Sequence, residues 1–76
     1  MSTNTNIEQS TEHKNVLIRW RNRYGEEDQG QFPADIFLGW LSANLGQRVS
    51  VIAKEFVEDW CGLEGQIDRI IRMEVA

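Results

Sequence analysis

Only one pair of side chains in this sequence has the chemistry of a nucleophile and its base. Cys61 is the single cysteine and His13 is the single histidine. A catalytic thiol needs a base within hydrogen-bond reach and a low pKa. His13 falls at the edge of a polar N-terminal stretch, and Cys61 is predicted near a helix C-terminus, where the negative end of the helix dipole disfavours thiolate. We therefore expect an inert Cys61, with no internal disulfide and no closed zinc site.

Carboxylates are the other groups that could do acid and base chemistry. Glu58 and Asp59 are adjacent, but neighbouring residues on a helix point in different directions, and nothing in the sequence marks a cleft around them. The segment GEEDQG, residues 25–30, does not suit a phosphate-binding loop because its own acids repel a phosphate. The sequence thus predicts a protein that is not an enzyme and that uses no cofactor or metal.

Acidic residues are concentrated in the middle of the chain. The formal net charge is −4, and residues 25–64 hold eight acids against two bases. Such a surface can meet a basic protein, including the nucleic-acid channel of an enzyme, although acids can also serve only solubility. Because Glu58 and Asp59 oppose the dipole at a predicted helix end, local stability does not explain them. The predicted partner-binding surface combines six acids with two hydrophobic anchors: Glu26, Glu27, Asp28, Glu55, Glu58, Asp59, Leu38 and Trp60.

Basic residues define an alternative, nucleic-acid-binding set: Arg19, Arg21, Arg23, Arg48 and Lys54. The first three interleave with Trp20 and Tyr24. In proteins that bind single strands, basic side chains contact the phosphate backbone and aromatic rings stack on bases. Strand alternation places Trp20 on the core face and the arginines on the opposite face. Trp20 then cannot stack on a base, and the arginines can contact only phosphates. Residues 41–56 resemble a helix-turn-helix with Gly46 at the turn. Its second helix, however, would bring three acids towards DNA phosphates: Glu55, Glu58 and Asp59.

The chain has material for one small domain. Its 76 residues are 41% hydrophobic and 9% aromatic, which is typical of a folded chain with a single core. Residues 1–12 bury too little apolar surface and are predicted to be a disordered tail, so residues 13–76 form the domain. No apolar run reaches the roughly 20 residues of a membrane span, and no signal-peptide pattern is present. We expect a cytoplasmic protein with no membrane partner.

Alternating hydrophobicity predicts a strand at each end of this domain. The first lies in residues 15–24 and has a core face formed by Val16, Ile18 and Trp20. The glycine-rich acidic residues 25–30 are predicted to be a loop. Residues 66–75 fit either a strand that pairs with the first or a helix, and the strand is favoured. Two strands alone are marginal, so the helices, a short strand in the loop or a partner's edge must support them.

Two helices are predicted between the strands, which makes the fold class α+β. The first covers residues 34–45, with Pro33 at its first helical position. The second is capped by Ser50 and stopped by Gly62, with a strand at residues 48–54 as the rival interpretation.

These patterns together predict a small, non-catalytic protein-binding module that docks an acidic, aromatic-bearing surface on a basic protein. A short acidic chain of this kind fits phage or mobile-element proteins that inhibit or regulate host nucleic-acid-handling proteins. Two alternatives stay open. One is a helix-turn-helix-like DNA-binding regulator using residues 41–56, and the other is a homodimeric structural subunit whose strands complete a sheet.

Overall fold

The computed structural model describes residues 14–75, so the predicted tail at residues 1–12 and His13 lie outside the described part. The described elements, in chain order, are β1 (Asn15–Asn22), β2 (Glu27–Pro33), α1 (Ala34–Ala43), α2 (Val49–Cys61) and β3 (Ile67–Val75). They form a single α+β domain, as the sequence predicts. Neither of these two helices is long and apolar enough to cross a membrane.

Within residues 14–75, three antiparallel strands form a sheet in the order β2-β1-β3. The N-terminal strand is therefore central, and Ile18 faces Gly30 on one side and Met73 on the other. The predicted pairing of the two terminal strands is confirmed, and the helix alternative for residues 66–75 is wrong. β2 and β3 are each paired on one edge within the described residues.

The acidic segment at residues 25–30 is only partly a loop, which corrects the sequence prediction. Glu27–Pro33 forms β2 and pairs with β1 along its whole length. Glycine and acidic residues are depleted in strands, so composition pointed to a loop. Pairing overrides that preference because every residue of β2 is in register with β1 and Phe32 is buried in the core. Glu27, the first residue of β2, also forms ion pairs with two arginines of β1. The true turn lies before it, where Gly25 takes the left-handed backbone at φ 85°.

The core lies between one face of the sheet and the two helices. Phe56 of α2 is fully buried, and its ring lies 5.4 Å from the ring of Phe32 and 5.2 Å from that of Phe37. The core faces of all three strands and both helices contribute to it, through Val16, Ile18, Trp20, Phe32, Phe37, Ile52, Ala53, Phe56, Val57 and Ile67. Since Trp20 is buried, the arginines beside it in β1 occupy the opposite face of the sheet, which no element of residues 14–75 covers. We call it the uncovered face.

The helix boundaries differ from the sequence prediction by a few residues. Pro33 has extended backbone (φ −61°, ψ 126°) and is the N-cap of α1, which ends at residue 43 rather than 45. Arg48 is the N-cap of α2, so Ser50 lies inside the first turn and makes no capping hydrogen bond. Gly62 ends α2 as predicted, with a left-handed φ of 68° that suits glycine.

Two register shifts interrupt the pairing of β3 with β1, one between Arg19 and Trp20 and one between Arg21 and Asn22. Strict alternation predicts Ile71 on the same face as Met73, yet Ile71 is 39% exposed and Ile70 packs against the core. Each extra residue in β3 changes the phase of its alternation, which a period of two cannot anticipate.

Candidate functional site

An open groove lies beside the C-terminal half of α2. It has a volume of about 560 Å³ and is lined by Trp40, Glu55, Glu58, Asp59, Gly62 and Glu64. We call it the acidic groove. It brings four carboxyl groups and one indole ring together in a single concavity.

The helical repeat of α2 supplies three of the four acids. Glu55, Glu58 and Asp59 stand at positions i, i+3 and i+4, which share one face of a helix. The opposite stripe of α2, which includes Phe56 and Val57, is buried in the core. Burial of that stripe therefore fixes the direction in which the acids face.

The turn after α2 supplies the fourth acid. The backbone N–H groups of Gly62 and Leu63 both donate to the carbonyl of Glu58, the second at 2.9 Å. This is the left-handed ending that reverses the chain after a helix. The reversal places Glu64 at the groove beside the acids of α2.

Trp40 forms the aromatic part of the groove and comes from the last turns of α1. Its ring lies 5.4 Å from the Phe56 ring in an edge-to-face arrangement. The side-chain amide of Asn44 donates to the Trp40 carbonyl at 2.8 Å. Trp40 is thus held by packing on one side and presents a fixed surface to the groove.

Only part of the predicted partner-binding set meets in this groove. Glu55, Glu58 and Asp59 do so. Trp60 follows them on α2 and is 48% exposed, but it lies outside the lining and packs edge-on against Phe32 at 6.3 Å.

The acids around the start of β2 lie elsewhere. Glu26 accepts a hydrogen bond from Asn22 in the β1–β2 turn. Glu27 lies on the uncovered sheet face, and Asp28 pairs with Trp20 in the register and is close enough to Cys61 for its charge to act on the thiol. None of these three acids lines the acidic groove, although Asp28 lies near the C-terminal end of α2.

Leu38 lies in a second groove of about 310 Å³, which shares no lining residue with the acidic groove. Its walls are mostly apolar side chains from α1, the start of α2, β1 and β3, among them Leu41, Val49 and Met73. Leu38 is 57% exposed there. Its predicted role as a partner anchor stays a prediction, and it lies on a different part of the surface from Trp60.

The structure also divides the predicted nucleic-acid set. Arg19 and Arg21 project from the uncovered face of the sheet, as strand alternation predicts. Arg23 lies in the β1–β2 turn and donates to the carbonyl of Gly65. The remaining two, Arg48 and Lys54, belong to α2 and its N-cap on the helical side.

Two residues of the acidic groove were missed by sequence reasoning. Trp40 fits the apolar stripe of α1, a pattern that predicts a core residue, and it does pack against the core. Glu64 was counted in the acidic middle of the chain, but sequence reasoning gave it no position. A helix-ending Gly62 followed two residues later by an acid is the one signal that could have suggested it.

Cys61 is exposed, and its environment does not activate it. Partial burial of the thiol, and then the charge of Asp28, raise the pKa of Cys61 above its ordinary value. A raised pKa lowers the thiolate fraction at neutral pH, the reverse of what a nucleophilic cysteine requires. Between residues 14 and 75, no three or more His, Cys, Asp and Glu side chains are arranged to hold a metal ion.

A scan against protein-family models and searches of the curated proteins and of the solved structures find no match to this chain. Its function has to be inferred from the geometry and charge of its own residues.

Proposed function

We propose that this protein is a non-catalytic binding module that docks its acidic groove on a basic surface of a partner protein. The observation that carries this proposal is the meeting of four acids with the ring of Trp40 in one groove. Carboxylates attract Lys and Arg side chains, and an indole face adds a cation–π interaction of about 0.5–1 kcal/mol at an exposed site. The groove is open and has a volume of about 560 Å³, which leaves room for basic side chains of a docked segment.

The energetics of α2 support a binding role for these acids. The last turn of α2 contains no basic residue, although the negative dipole end favours one. Asp59 also follows Glu55 at i+4, a like-charge spacing that destabilises a helix. A basic partner would neutralise both unfavourable interactions. The charges that destabilise α2 in the free protein would therefore strengthen binding to that partner.

The chemistry of the partner follows from this charge. A net charge of −4 on 8.8 kDa speeds association with a basic surface by electrostatic steering. Proteins that handle nucleic acids carry such surfaces, and a small acidic domain that occupies one acts as its inhibitor or regulator. A phage or mobile-element protein acting in the host cytoplasm is the biological setting that this proposal favours.

Charge reversal in the groove tests the proposal. Glu55→Lys with Asp59→Lys changes two groove acids, and Asp35→Lys with Asp68→Lys makes the same change at two exposed acids outside it. We expect the wild type and the second variant to capture the same basic protein from nuclease-treated lysate of the source organism. The groove variant should lose that protein, and the captured protein should be released at high salt.

Equal capture by both variants, or capture of no basic protein by the wild type, would overturn the groove assignment. Circular-dichroism melts of all three proteins are needed beside the capture, because only a folded groove variant gives a valid comparison.

A further inference from the structure

The sheet face opposite the helices carries four arginines in two opposed pairs. The register places Arg19 opposite Arg72 and Arg21 opposite Arg69 across β1 and β3. Alternation along β1 directs these side chains away from the buried face. We call this surface the arginine face.

Strand stability does not explain this arrangement. Like charges directly opposite each other destabilise an antiparallel pair, because paired Cα atoms are only about 4.5–5.5 Å apart. Among the positions that the register pairs on this face, the acids are Glu27 and Glu74. Four arginines and two glutamates leave an excess of positive charge here, on a chain whose net charge is −4. Glu27 and Glu74 pair with three of these arginines and leave Arg69 without an ion pair among residues 14–75, so the local cost is only partly compensated. Such a cost is expected where a surface has a function.

Glu27 shows how the arginine face holds an anion. Its carboxylate accepts hydrogen bonds from Nε and Nη2 of Arg19 at 3.1 and 2.9 Å and from Nη2 of Arg21 at 2.9 Å. Guanidinium groups grip phosphate with the same two-pronged geometry. Nε of Arg21 is buried and has no hydrogen-bond partner among residues 14–75. The internal carboxylate therefore leaves a buried donor of this pair unsatisfied among the described residues.

Two further side chains extend the surface beyond these internal pairs. Arg69 is exposed and forms no ion pair with any other described residue, whereas Arg72 is paired with Glu74. Tyr24, in the β1–β2 turn at one end of the face, is 81% exposed. An exposed ring next to basic strands can stack on a base.

We infer that the arginine face binds the phosphate backbone of single-stranded nucleic acid. The four arginines stand on strands, and both helices of residues 14–75 pack against the other face of the sheet, so neither carries these arginines into a duplex groove. A single strand can lie along such an open sheet, with phosphates on the arginines and a terminal base on Tyr24. The site is separate from the acidic groove and does not depend on the function proposed for that groove.

Fluorescence anisotropy with a labelled oligothymidylate of about 12 nucleotides tests this inference, at salt concentrations from roughly 50 to 200 mM. Arg69→Ala with Arg72→Ala should weaken binding and reduce the slope of log K against log salt by about 1.4, since each lost phosphate contact contributes about 0.7. Arg48→Ala with Lys54→Ala removes the same charge from the helical side and should leave the slope nearly unchanged.

Three results would overturn the inference: equal losses in the two double variants, no binding by the wild type at low salt, or tighter binding of a duplex of the same length. Preferential loss of duplex binding in the Arg48 and Lys54 variant would favour the helix-turn-helix alternative instead.

For a second variant, Glu27→Gln, the inference predicts tighter rather than weaker binding of oligothymidylate. Glu27→Gln keeps the size of the side chain but removes the charge that occupies Arg19 and Arg21, so oligothymidylate should bind about fivefold more tightly at low salt. Asp35→Asn removes one negative charge from the first turn of α1 and should have a much smaller effect. Unchanged or weaker binding by Glu27→Gln would contradict the role of Glu27 as an internal substitute for phosphate.

Discussion

Glu27 connects the two outward arginines of β1 through a single carboxylate. Hydrogen bonds from Arg21 and then from Arg19 lower the pKa of Glu27 below its ordinary value. A group whose pKa is lower in the folded state stabilises the fold above its unfolded pKa, and that contribution is lost as the pH falls through its folded pKa. The Arg19–Glu27–Arg21 contacts should therefore break in acid, in a pH range below the usual titration of a glutamate.

Carbon-detected NMR of the Glu27 side-chain carboxyl, followed through an acid titration, measures this shift directly. Arg21→Ala should move the midpoint back towards the ordinary value because it removes the largest cause of the shift. Arg23→Ala is the matched control, since Arg23 donates to the Gly65 carbonyl and makes no hydrogen bond to Glu27. A Glu27 midpoint that is the same in all three proteins would contradict the network.

Sequence reasoning could predict the proximity of the acids in the groove but not that of the arginines on the sheet. Glu55, Glu58 and Asp59 share a helix face by spacing alone, so their proximity could be predicted from local geometry. Arg69 and Arg72 face β1 only through a register that includes two irregularities, which no local pattern specifies. Long-range pairing therefore determined which residues sequence reasoning missed on the arginine face.

At the scale of elements, α2 keeps a charge distribution that its own stability disfavours. Asp59 lies in the last turn, four residues after Glu55 and beside the negative dipole end. Asp59→Lys reverses both effects and should stabilise the domain by about 1 kcal/mol, which is about 4–8 °C in Tm for a chain of this size. Asp59→Asn removes the charge alone and should give roughly half of that gain.

Thermal melts at low salt measure the Tm of both variants, which should rise from the wild type to Asp59→Asn and then to Asp59→Lys. The amount of partner protein captured should fall in the same order. This opposition between stability and binding is expected where a surface is shaped by a partner. A lower Tm for Asp59→Lys would mean that the acid stabilises α2 through a contact of its own.

The elements themselves were predictable wherever local signals agreed. β1 followed from its alternation, and the end of α2 followed from Gly62 because a left-handed residue is needed there. β2 could not be predicted in the same way, since its residues favour a loop and become a strand only when paired with β1. The predicted N-cap of α2 at Ser50 was wrong, because a residue type that favours capping can also lie inside the first turn of a helix.

At the scale of the whole molecule, charge of opposite sign is segregated on two surfaces. The helices face away from the uncovered side of the sheet, so the acidic groove and the arginine face are distinct. At about 0.15 M ionic strength the Debye length is only about 8 Å, so the two surfaces should act nearly independently under physiological conditions. A partner protein and a nucleic acid could then occupy them at the same time.

This segregation also predicts how copies of the chain meet in solution. The acidic groove of one copy complements the arginine face of another, a heterologous contact that does not close into a defined dimer. Mass measured by sedimentation should rise steadily with protein concentration at low salt and fall to that of a single 8.8 kDa chain at high salt. Glu55→Lys with Asp59→Lys should abolish the rise, because it removes one of the two complementary surfaces.

A constant mass of two chains at both salt concentrations would contradict this expectation. It would favour the homodimer alternative, with the outer edge of β3 pairing between copies.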